Sequence, residues 1–464
     1  MVVMGQWNKF SPLDGASLGV VDAATPSEVS AMIKRARNAQ IPWHKLGLTA
    51  RGKIIRHAAQ ELAAETDAFV KLVREETGKQ SSLAHGELMA AIEMAEMMAS
   101  YGRFASGTLF PSAIPGRQIR VERVPHGVAA LIVSFNTPLP NYAWKVFPAL
   151  MAGNSAILKP SPHTPFSAQL FVDVLHRSGV PSDVLQIAQG GAETAQALVT
   201  GDVDLVSFTG GFDAGVAVSK ATAGSLKKVI LELGGSNPLI VFEDADIPQA
   251  VATALQSAYS NAGQRCAAGS RILVEEKVYE LFRAELLQQI DSWTWGTSDD
   301  VSVSTLIDTA SAEKAEAYLA DCEAIGAVVL RLGKSVGSDT SSTALVQPAL
   351  VEGLDPKSDL GLQEIFAPVA RLFSFSTEQQ AIEITAASPY GLTAAVWTKG
   401  INRAERIVGA LPAGVVSING PTHGAEINIP FGGMKNSGNG TRDAGVQAIE
   451  EYSQVRTVST FFEA

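Results

Sequence analysis

The sequence is poor in cysteine and has no long apolar run. Cys266 and Cys322 are the two cysteines among 464 residues, too few for a disulfide framework and typical of a reducing compartment. The apolar run 128–133 has the length of a strand, whereas a membrane-spanning helix needs roughly 18 or more apolar residues. Residues 1–9 lack the basic and apolar segments of a secretion signal. We therefore expect a cytoplasmic protein without a membrane span.

An excess of positive charge and the spacing of metal ligands are also missing. The formal net charge is −11 at pH 7, so the chain has no general attraction for nucleic acid or anionic lipid. Its seven histidines are scattered and show neither H-x-x-H nor H-E-x-x-H spacing, patterns that place zinc ligands together. We expect no nucleic-acid partner, no membrane partner and no catalytic metal.

The composition that is present is typical of a compact α/β enzyme, with 46% hydrophobic residues, 18% charged residues and 41 glycines. A chain of 464 residues exceeds the size at which one core keeps growing, which favours two large domains. The range 24–105 predicts helices, because Thr25-Pro26-Ser27-Glu28 has the form of a capping box with proline at the first helical position. We expect these helices, including the Met-rich segment 88–98, to cover the fold and not to form a site.

Short apolar strands alternate with stretches of helical length between 128 and 232, at 128–134, 156–159, 184–188, 205–208 and 228–232. This alternation predicts a doubly wound parallel sheet, which binds ligands beyond the carboxyl ends of its strands. Asn136, Lys159 and the glycine-containing segment 208–215 follow such ends. A second α/β run from 238 to about 435 contains Cys266, so we expect a site in a cleft shared by the two halves.

Two further segments, 117–125 and 454–462, alternate apolar and polar residues. Such alternation predicts extended strands. Two arrangements stay open at this point. The segments form either a hairpin and a terminal strand that pairs across subunits, or an ordinary edge strand.

Cys266 is the candidate nucleophile. It stands in Asn261-Ala262-Gly263-Gln264-Arg265-Cys266-Ala267-Ala268-Gly269. Cysteine is the most nucleophilic side chain near neutral pH, and a glycine-bracketed loop lets backbone N–H groups approach an oxyanion. A lone cysteine is more often a small buried hydrophobe, but the presence of Glu232 and Asn136 in the same chain favours a covalent catalyst.

Five motifs in one order resemble those of the NAD(P)-dependent aldehyde dehydrogenase superfamily, along nearly the whole chain. They are Ser134-Phe135-Asn136, Leu158-Lys159-Pro160-Ser161, Leu231-Glu232-Leu233-Gly234-Gly235, Gly263-Gln264-Arg265-Cys266 and Glu364-Ile365-Phe366-Ala367-Pro368, with a closing segment Pro430-Phe431-Gly432-Gly433-Met434-Lys435. The resemblance implies an α/β fold of the aldehyde dehydrogenase type. Its parts would be a Rossmann-type coenzyme domain (1–113 and 127–234), an α/β catalytic domain (235–440) and small β oligomerisation strands (114–126 and 450–464).

The resemblance implies that Cys266 attacks an aldehyde carbon. The Asn136 amide and the Cys266 backbone N–H would stabilise the resulting oxyanion. Hydride transfer to the nicotinamide would leave a thioester, which water activated by Glu232 would hydrolyse. Taken alone, Asn136 is an ordinary turn residue before a proline and Glu232 is a solvated carboxylate.

The coenzyme implied by the resemblance is NAD. Glycines would let the diphosphate approach a helix N-terminus, where N–H groups favour anions. The residues implied in coenzyme binding are Lys159, Ser161, Gly210, Gly211, Gly215, Glu364 and Phe366. Many NAD-preferring relatives carry a glutamate where this sequence has Pro162, and that glutamate repels the 2′-phosphate of NADP. NADP is therefore not excluded, and we expect both coenzymes to support turnover, with NAD the physiological one.

The residues expected to contact the substrate are Asn141, Trp144 and Arg265. In the family that the chain resembles, several enzymes acting on anionic aldehydes carry an arginine before the nucleophile, and Asn141 would lie on the helix that lines the substrate tunnel, where hydrophobic residues are common. Both residues favour a polar or carboxylate-bearing aldehyde, because a guanidinium binds a carboxylate bidentately. Alternatively, Arg265 contacts a backbone carbonyl or a surface acid, and Trp144 is packing. The segment Thr422-His423 is too irregular to assign. The partners implied are a small-molecule aldehyde and further copies of the chain, as a homodimer or homotetramer.

Two other functions compete with hydrolytic aldehyde oxidation. A CoA-acylating relative would pass the thioester to a thiol, but such enzymes commonly lack the base that Glu232 would provide. A non-catalytic binding protein on the same scaffold is the other alternative. The joint presence of nucleophile, base, oxyanion donor and coenzyme contacts argues against it.

Overall fold

The computed structural model of the chain describes residues 5–104, 107–336 and 343–462. The N-terminal part is a hairpin followed by four helices: β1 (Gln6–Phe10), β2 (Ser17–Asp22), α1 (Pro26–Lys45), α2 (Gly47–Ala64), α3 (Thr66–Thr77) and α4 (Ser81–Tyr101). The predicted capping box is confirmed, since Thr25 and Glu28 exchange side-chain and backbone hydrogen bonds and proline opens α1.

The next part forms the predicted parallel sheet. Its elements are β3 (Gly107–Phe110), β4 (Arg117–Pro125), β5 (Val128–Ile132), α5 (Pro138–Ala152), β6 (Ser155–Lys159), α6 (Pro165–Arg177), β7 (Leu185–Ile187), α7 (Ala192–Thr200), β8 (Leu205–Thr209), α8 (Phe212–Thr222) and β9 (Lys228–Glu232). Strands β5 to β9 pair in parallel in the order β7-β6-β5-β8-β9. The chain changes direction across the sheet between β5 and β8, and such a switch point opens a crevice for ligands.

The second half contains β10 (Pro238–Val241), α9 (Ile247–Tyr259), β11 (Arg271–Glu275), α10 (Tyr279–Ile290), β12 (Thr294–Trp295), α11 (Thr309–Ala324), β13 (Val328–Arg331), β14 (Lys334–Ser335), β15 (Ala349–Glu352), α12 (Asp359–Leu362), β16 (Val369–Phe375), α13 (Glu378–Ala386), β17 (Tyr390–Gly391), β18 (Thr393–Trp397), α14 (Ile401–Ala410), β19 (Val415–Ile418), β20 (Met434–Lys435), α15 (Gln447–Glu451) and β21 (Ser453–Phe461). Seven of its strands form a larger sheet. The sheet order is β13-β15-β16-β11-β10-β18-β19, and only β13 runs antiparallel to its neighbour.

The two alternating segments both form strands. β4 and β21 pair antiparallel from Pro125 opposite Ser453 to Arg117 opposite Phe461. The terminal strand β21 pairs with β4 of its own chain along one edge and lies at the end of the three-stranded sheet. Pairing of its other edge across subunits stays a prediction. β3 joins the other edge of β4, although its residues lie in the range assigned to the coenzyme domain. Residues 463 and 464 of the predicted terminal range lie outside the described residues.

Apolar cores lie on both sheets. Leu88, Met94 and Met98 of the Met-rich helix α4 are fully buried in the core that covers the first sheet, so their predicted packing role is confirmed. Among the described residues, no helix combines the length and apolar character needed to cross a bilayer. In the same ranges, no group of three or more His, Cys, Asp and Glu side chains is placed to hold a metal ion.

Candidate active site

A cavity of about 360 Å³ lies where the carboxyl ends of the first sheet meet the loop after α9. Asn136, Thr209 and Glu232 reach it from the first sheet, and Arg265 and Cys266 reach it from the second half. The shared cleft that the sequence predicts is therefore present. The expected substrate residues Asn141 and Trp144 line the same cavity from α5, together with residues of α4 and the C-terminal segment: Ser82, Leu83, Gly86, Glu87, Ala90, His423, Phe431 and Asp443.

The loop that carries Cys266 is held tightly. The Asn237 side chain donates to the Cys266 carbonyl at 2.7 Å and to the Ala268 carbonyl at 2.9 Å, and the Thr422 hydroxyl donates to the Ala267 carbonyl at 2.7 Å. Gly263 has φ +69°, and a Cβ there would lie 2.1 Å from the Ala367 carbonyl oxygen. Only glycine therefore fits at this turn, which fixes the position of the thiol.

The Cys266 thiol has a pKa raised to about 12. Burial is the main cause, and the negative charges of Glu364 and Glu232 add to it, while the Ala267 backbone N–H and Arg265 act in the opposite direction. At neutral pH the sulfur in this arrangement carries its proton. A nucleophilic role therefore requires a base or a positive charge to act on it.

Asn136 follows β5 and is 6% exposed. Its side-chain Oδ1 accepts a hydrogen bond from Asn141 Nδ2 at 3.4 Å, and Asn141 also donates to the Ser134 carbonyl at 3.3 Å. Because Oδ1 is used in this way, the Asn136 Nδ2 group remains as a donor at the cavity wall. This is the group that an oxyanion needs.

Glu232 ends β9 and is 5% exposed, and both of its carboxylate oxygens are buried without a hydrogen-bond partner in the described chain. Burial raises the pKa of this carboxyl well above its ordinary value, with a further rise from the negative charge of Asp443, whereas Lys145 and Arg442 lower it. The alternative of a solvated carboxylate is therefore not what the structure shows. A buried carboxylate with free oxygens can take a proton from water.

Arg265 makes no hydrogen bond or ion pair with any described residue, and its buried Nε has no acceptor. The expected alternatives, a backbone carbonyl or a surface acid, are therefore not observed. Burial lowers the Arg265 pKa, whereas Glu87 and Cys266 raise it. The Glu87 Oε2 atom is likewise buried without a partner. The Trp144 indole N–H also lacks an acceptor, and its ring lies 5.7 Å from the ring of Phe431.

Sequence reasoning missed the part that α4 plays and was wrong to treat the first helices as a cover alone. Residues 82, 83, 86, 87 and 90 of α4 line the cavity, at the spacing of one helix face. Sequence reasoning also missed a buried ion pair near Glu232, in which Lys145 Nζ lies 2.7 Å from Asp443 Oδ2. The sequence could have shown that these residues of α4 share one helix face. It could not have shown that Lys145 of α5 pairs with Asp443 near the C-terminus.

The residues expected to bind the coenzyme lie at or after the ends of β6 and β8 and before β16. Lys159 is 4% exposed, burial lowers its pKa to about 8, and Nζ donates to the Pro160 carbonyl at 2.7 Å. Ser161 Oγ accepts from the His163 backbone N–H at 3.3 Å, which shapes the loop after β6. Glu364 has a pKa raised to about 7 by burial and accepts from the Gly235 backbone N–H at 3.1 Å.

The three glycines expected to bind the coenzyme differ in how much space surrounds them, and Phe366 packs against a second ring. Gly211 caps α8 without a side-chain hydrogen bond, and a Cβ there would meet nothing within 4 Å, which leaves the helix N-terminus open to an anion. A Cβ at Gly210 would lie 2.5 Å from the Phe208 ring, and one at Gly215 would lie 2.5 Å from Leu233. Gly215 therefore serves helix packing in this structure. Phe366 has φ +56°, and its ring packs edge-on against Phe135 at 6.0 Å.

These features fit a dinucleotide. Lys159 and Glu364 are buried groups of opposite charge, and neither has an ion-pair partner among the described residues. Their free donors and acceptors match ribose hydroxyls, and the open end of α8 matches a diphosphate. The fold and the site therefore define an α/β enzyme with a dinucleotide cleft on one sheet and a partly buried thiol facing it from the other.

The aldehyde dehydrogenase family profile matches residues 4–458, so the chain belongs to the aldehyde dehydrogenase family. A 2-hydroxymuconic semialdehyde dehydrogenase from Pseudomonas sp. (strain CF600) is 33% identical over 460 residues, which cover 97% of this chain and 94% of that protein. A benzaldehyde dehydrogenase [NAD(+)] from Pseudomonas putida is 33% identical over 459 residues, covering 98% of this chain and 93% of that protein.

A solved structure of betaine aldehyde dehydrogenase from Staphylococcus aureus, in complex with NAD+, matches the fold with a TM-score of 0.94 at 31% identity, covering 98% of this chain and 91% of that one. The predicted fold class and the predicted family are therefore confirmed. So is the prediction that the protein is an enzyme of the aldehyde dehydrogenase type.

Proposed function

We propose that this enzyme oxidises a carboxylate-bearing aldehyde to the corresponding acid with NAD, through a thioester on Cys266 that water hydrolyses. The observation that carries the proposal is the grouping of Cys266, Asn136 and Glu232 around one cavity of about 360 Å³. A nucleophile, an oxyanion donor and a base with free oxygens are the three groups that acyl transfer to water requires.

The first step is attack of the Cys266 sulfur on the aldehyde carbon. The thiol proton passes to a water molecule in the cavity as the S–C bond forms, and the carbonyl oxygen becomes an oxyanion between the Asn136 Nδ2 group and the Cys266 backbone N–H. Each such donor lowers the barrier by about 3–4 kcal/mol. Bound NAD supplies the acceptor for the hydride that leaves the adduct carbon. The sulfur then carries an acyl group as a thioester.

Glu232 drives the second step. Its carboxylate takes a proton from water, the resulting hydroxide adds to the thioester carbon, and the C–S bond breaks to release the acid and return the sulfur. The raised pKa of Glu232 makes it a stronger base than an ordinary carboxylate once it has lost its proton. The base also speaks against the CoA-acylating alternative, in which a thiol takes the place of water.

Arg265 points to the class of substrate. A guanidinium that lines the cavity and has no partner in the described chain leaves hydrogen-bond donors unused, which is costly unless a ligand pairs with them. A carboxylate at the far end of the aldehyde supplies both acceptor atoms and charge. The 2-hydroxymuconic semialdehyde dehydrogenase that resembles this chain is named for such an acidic aldehyde.

The substrate proposal is tested with two aldehydes of equal length, 4-oxobutanoate and butanal. Arg265→Met keeps the apolar stem and removes the charge. We expect the KM for 4-oxobutanoate to rise about 10–100-fold, since a hydrogen bond to a charged group is worth about 1.5–3 kcal/mol, while the KM for butanal stays near its original value. Equal changes for the two aldehydes would contradict the role of Arg265. A rate that depends on added CoA would instead support the acylating function.

The remaining proposals concern organisation. We propose that residues 1–113 and 127–234 bind the coenzyme, that 235–440 carry the nucleophile, and that 114–126 and 450–464 hold subunits together in a homodimer or homotetramer. The large exposed apolar side chains Leu109, Phe110, Val455 and Phe461 on the β3-β4-β21 sheet support the last point. The two free cysteines fit a cytoplasmic protein.

A further inference from the structure

Asn261, in the loop before the nucleophile, has a buried side chain that the steps above do not use. It is 3% exposed. Its Nδ2 group donates to the Asn136 backbone carbonyl at 3.1 Å and to the Gln264 backbone carbonyl at 3.2 Å. One amide therefore bridges two stretches of backbone. The first carries the side-chain oxyanion donor, and the second lies two residues before the N–H of Cys266.

The backbone conformation of residues 261–263 places the Asn261 amide between the two carbonyls. Asn261 has φ 55° and ψ 34°, Ala262 has φ 53° and ψ 34°, and Gly263 continues the left-handed run. Asparagine tolerates this region better than most other residues. The turn is reinforced because the Gln264 side chain donates to the Asn261 carbonyl at 3.3 Å and accepts from the Ile307 N–H at 2.9 Å.

The Asn136 carbonyl receives a second donor from the segment between α3 and α4. Lys79, 1% exposed, donates to it at 2.7 Å and forms a close ion pair with Glu87. Two donors on one carbonyl hold the Asn136 backbone, and Asn141 orients the amide that the same residue projects. A shift of about 1 Å in such a group is enough to cost roughly a hundredfold in rate.

We propose that Asn261 is a positioning residue of the oxyanion hole. Its amide sets the distance between the Asn136 side chain and the Cys266 N–H by tying their backbones together. This rests on the functions proposed above for Cys266 and Asn136. Without the bridge the two donors separate, so attack on a carbonyl slows, whereas the thiol itself keeps its place through Asn237 and Thr422.

The test compares two reactions of the same sulfur. Acylation by an aldehyde passes through an oxyanion, whereas alkylation by iodoacetamide does not. Asn261→Gly removes the amide and keeps a residue that accepts the left-handed backbone. We expect acylation, followed as the first turnover of NADH formation, to slow about 10–100-fold, while the alkylation rate and the Kd for NAD stay near those of the unmodified enzyme.

A double-mutant cycle tests whether Asn261 affects acylation through the Asn136 side chain. Asn136→Ala should slow acylation about 10²–10³-fold, and adding Asn261→Gly to that variant should slow it little further, because the donor being positioned is already gone. The matched control is Asn419→Gly. Asn419 also has a left-handed backbone, with φ 52°, and its amide also holds a carbonyl, that of Thr398 at 3.0 Å, but it does not line the cavity. This variant should acylate normally.

The possible failures are distinguishable. If Asn261→Gly slowed alkylation as much as acylation, Asn261 would hold the thiol and the inference would be overturned. Independent, multiplying effects of the two substitutions would overturn it as well. Unchanged acylation in Asn136→Ala would reject the proposed function of Asn136 itself. Should Asn261→Gly fail to fold, Asn261→Asp keeps the size of the side chain and cannot donate, and the same pattern is expected from it.

Discussion

At the scale of single residues, the surroundings of Glu232 decide what it can do. Its carboxyl is buried, without donors in the described chain, and beside Asp443. A group with a raised pKa keeps its proton to a higher pH than an ordinary carboxyl, and it acts as a base only after losing that proton. Deacylation should therefore quicken as pH rises through the raised pKa and then level off.

Glu232→Gln removes the base and keeps the shape of the side chain. We expect a burst of about one equivalent of NADH per active site, followed by turnover slowed about 10²–10⁴-fold, because the thioester forms and is not hydrolysed. Stopped-flow absorbance of NADH measures both phases. The slow phase should also lose the pH dependence described above.

The matched control is Glu243→Gln. Glu243 follows the end of β10 as Glu232 ends β9, but it is exposed and paired with Lys277. Its substitution should leave both phases unchanged. A Glu232→Gln enzyme that turned over at the original rate, or that showed no burst, would remove Glu232 from the deacylation step.

The sequence motifs were sufficient to locate the residues that we propose to act on the substrate. Cys266, Glu232, Asn136 and Arg265 all line one cavity, because each follows a strand or helix end that the alternating pattern made visible. Lys145 could not be found in this way. It lies in the middle of α5 with no motif, and it meets Asp443 only because the C-terminal segment folds back against the first sheet.

At the scale of elements, we expect the loop after β6 to govern the choice between NAD and NADP. The Pro162 carbonyl accepts a hydrogen bond from the Trp7 indole at 3.2 Å, so the N-terminal hairpin holds this loop, but proline provides no carboxylate. The charge that would repel a 2′-phosphate is therefore absent at this position. NADP should serve as a coenzyme beside NAD.

Pro162→Glu should restore discrimination. We expect kcat/KM for NADP to fall about tenfold or more relative to that for NAD, since juxtaposed like charges cost several kcal/mol at close range. Pro162→Gln, similar in size and uncharged, is the matched control and should change the ratio much less. An original enzyme with no activity on NADP at millimolar concentration would show that another element excludes the phosphate.

For helix α4, the sequence predicted the helix but not which parts of the molecule its faces contact. The sequence correctly predicted that its range is helical, and Met94 and Met98 of its Met-rich segment pack in the core. The same helix turns Gly86 and Glu87 to the cavity. A helical pattern tells which residues share a face, but the neighbour that each face meets is decided by contacts between distant segments.

At the scale of the whole molecule, alternation of strands and helices predicted two α/β halves and the parallel first sheet. The order of strands in the second sheet could not be predicted, because β16 pairs with β11 across a long stretch of chain. The sequence also did not predict that β21 pairs with β4 of the same chain. Alternation of apolar and polar residues predicts that one face of a strand is buried, but it does not predict which strand pairs with it.

The β3-β4-β21 sheet should assemble the subunits. Leu109 is 66% and Val455 is 61% exposed on it, and exposed apolar side chains on a paired sheet mark an interface. Leu109→Glu with Val455→Glu should lower the mass measured by light scattering during size-exclusion chromatography. Ile401→Glu, at an equally exposed position at the start of α14, should not. A wild-type monomer, or an unchanged mass in the double variant, would contradict this interface.

The central claim is that the sulfur of Cys266 carries the acyl group. The most direct measurement is peptide mass spectrometry of the Glu232→Gln enzyme, acid-quenched after mixing with NAD and an aldehyde. We predict an acyl adduct on the peptide that contains Cys266, and its absence when NAD is omitted or when Cys266 is replaced by serine. An adduct on another residue, or full turnover by the Cys266→Ser enzyme, would contradict the account.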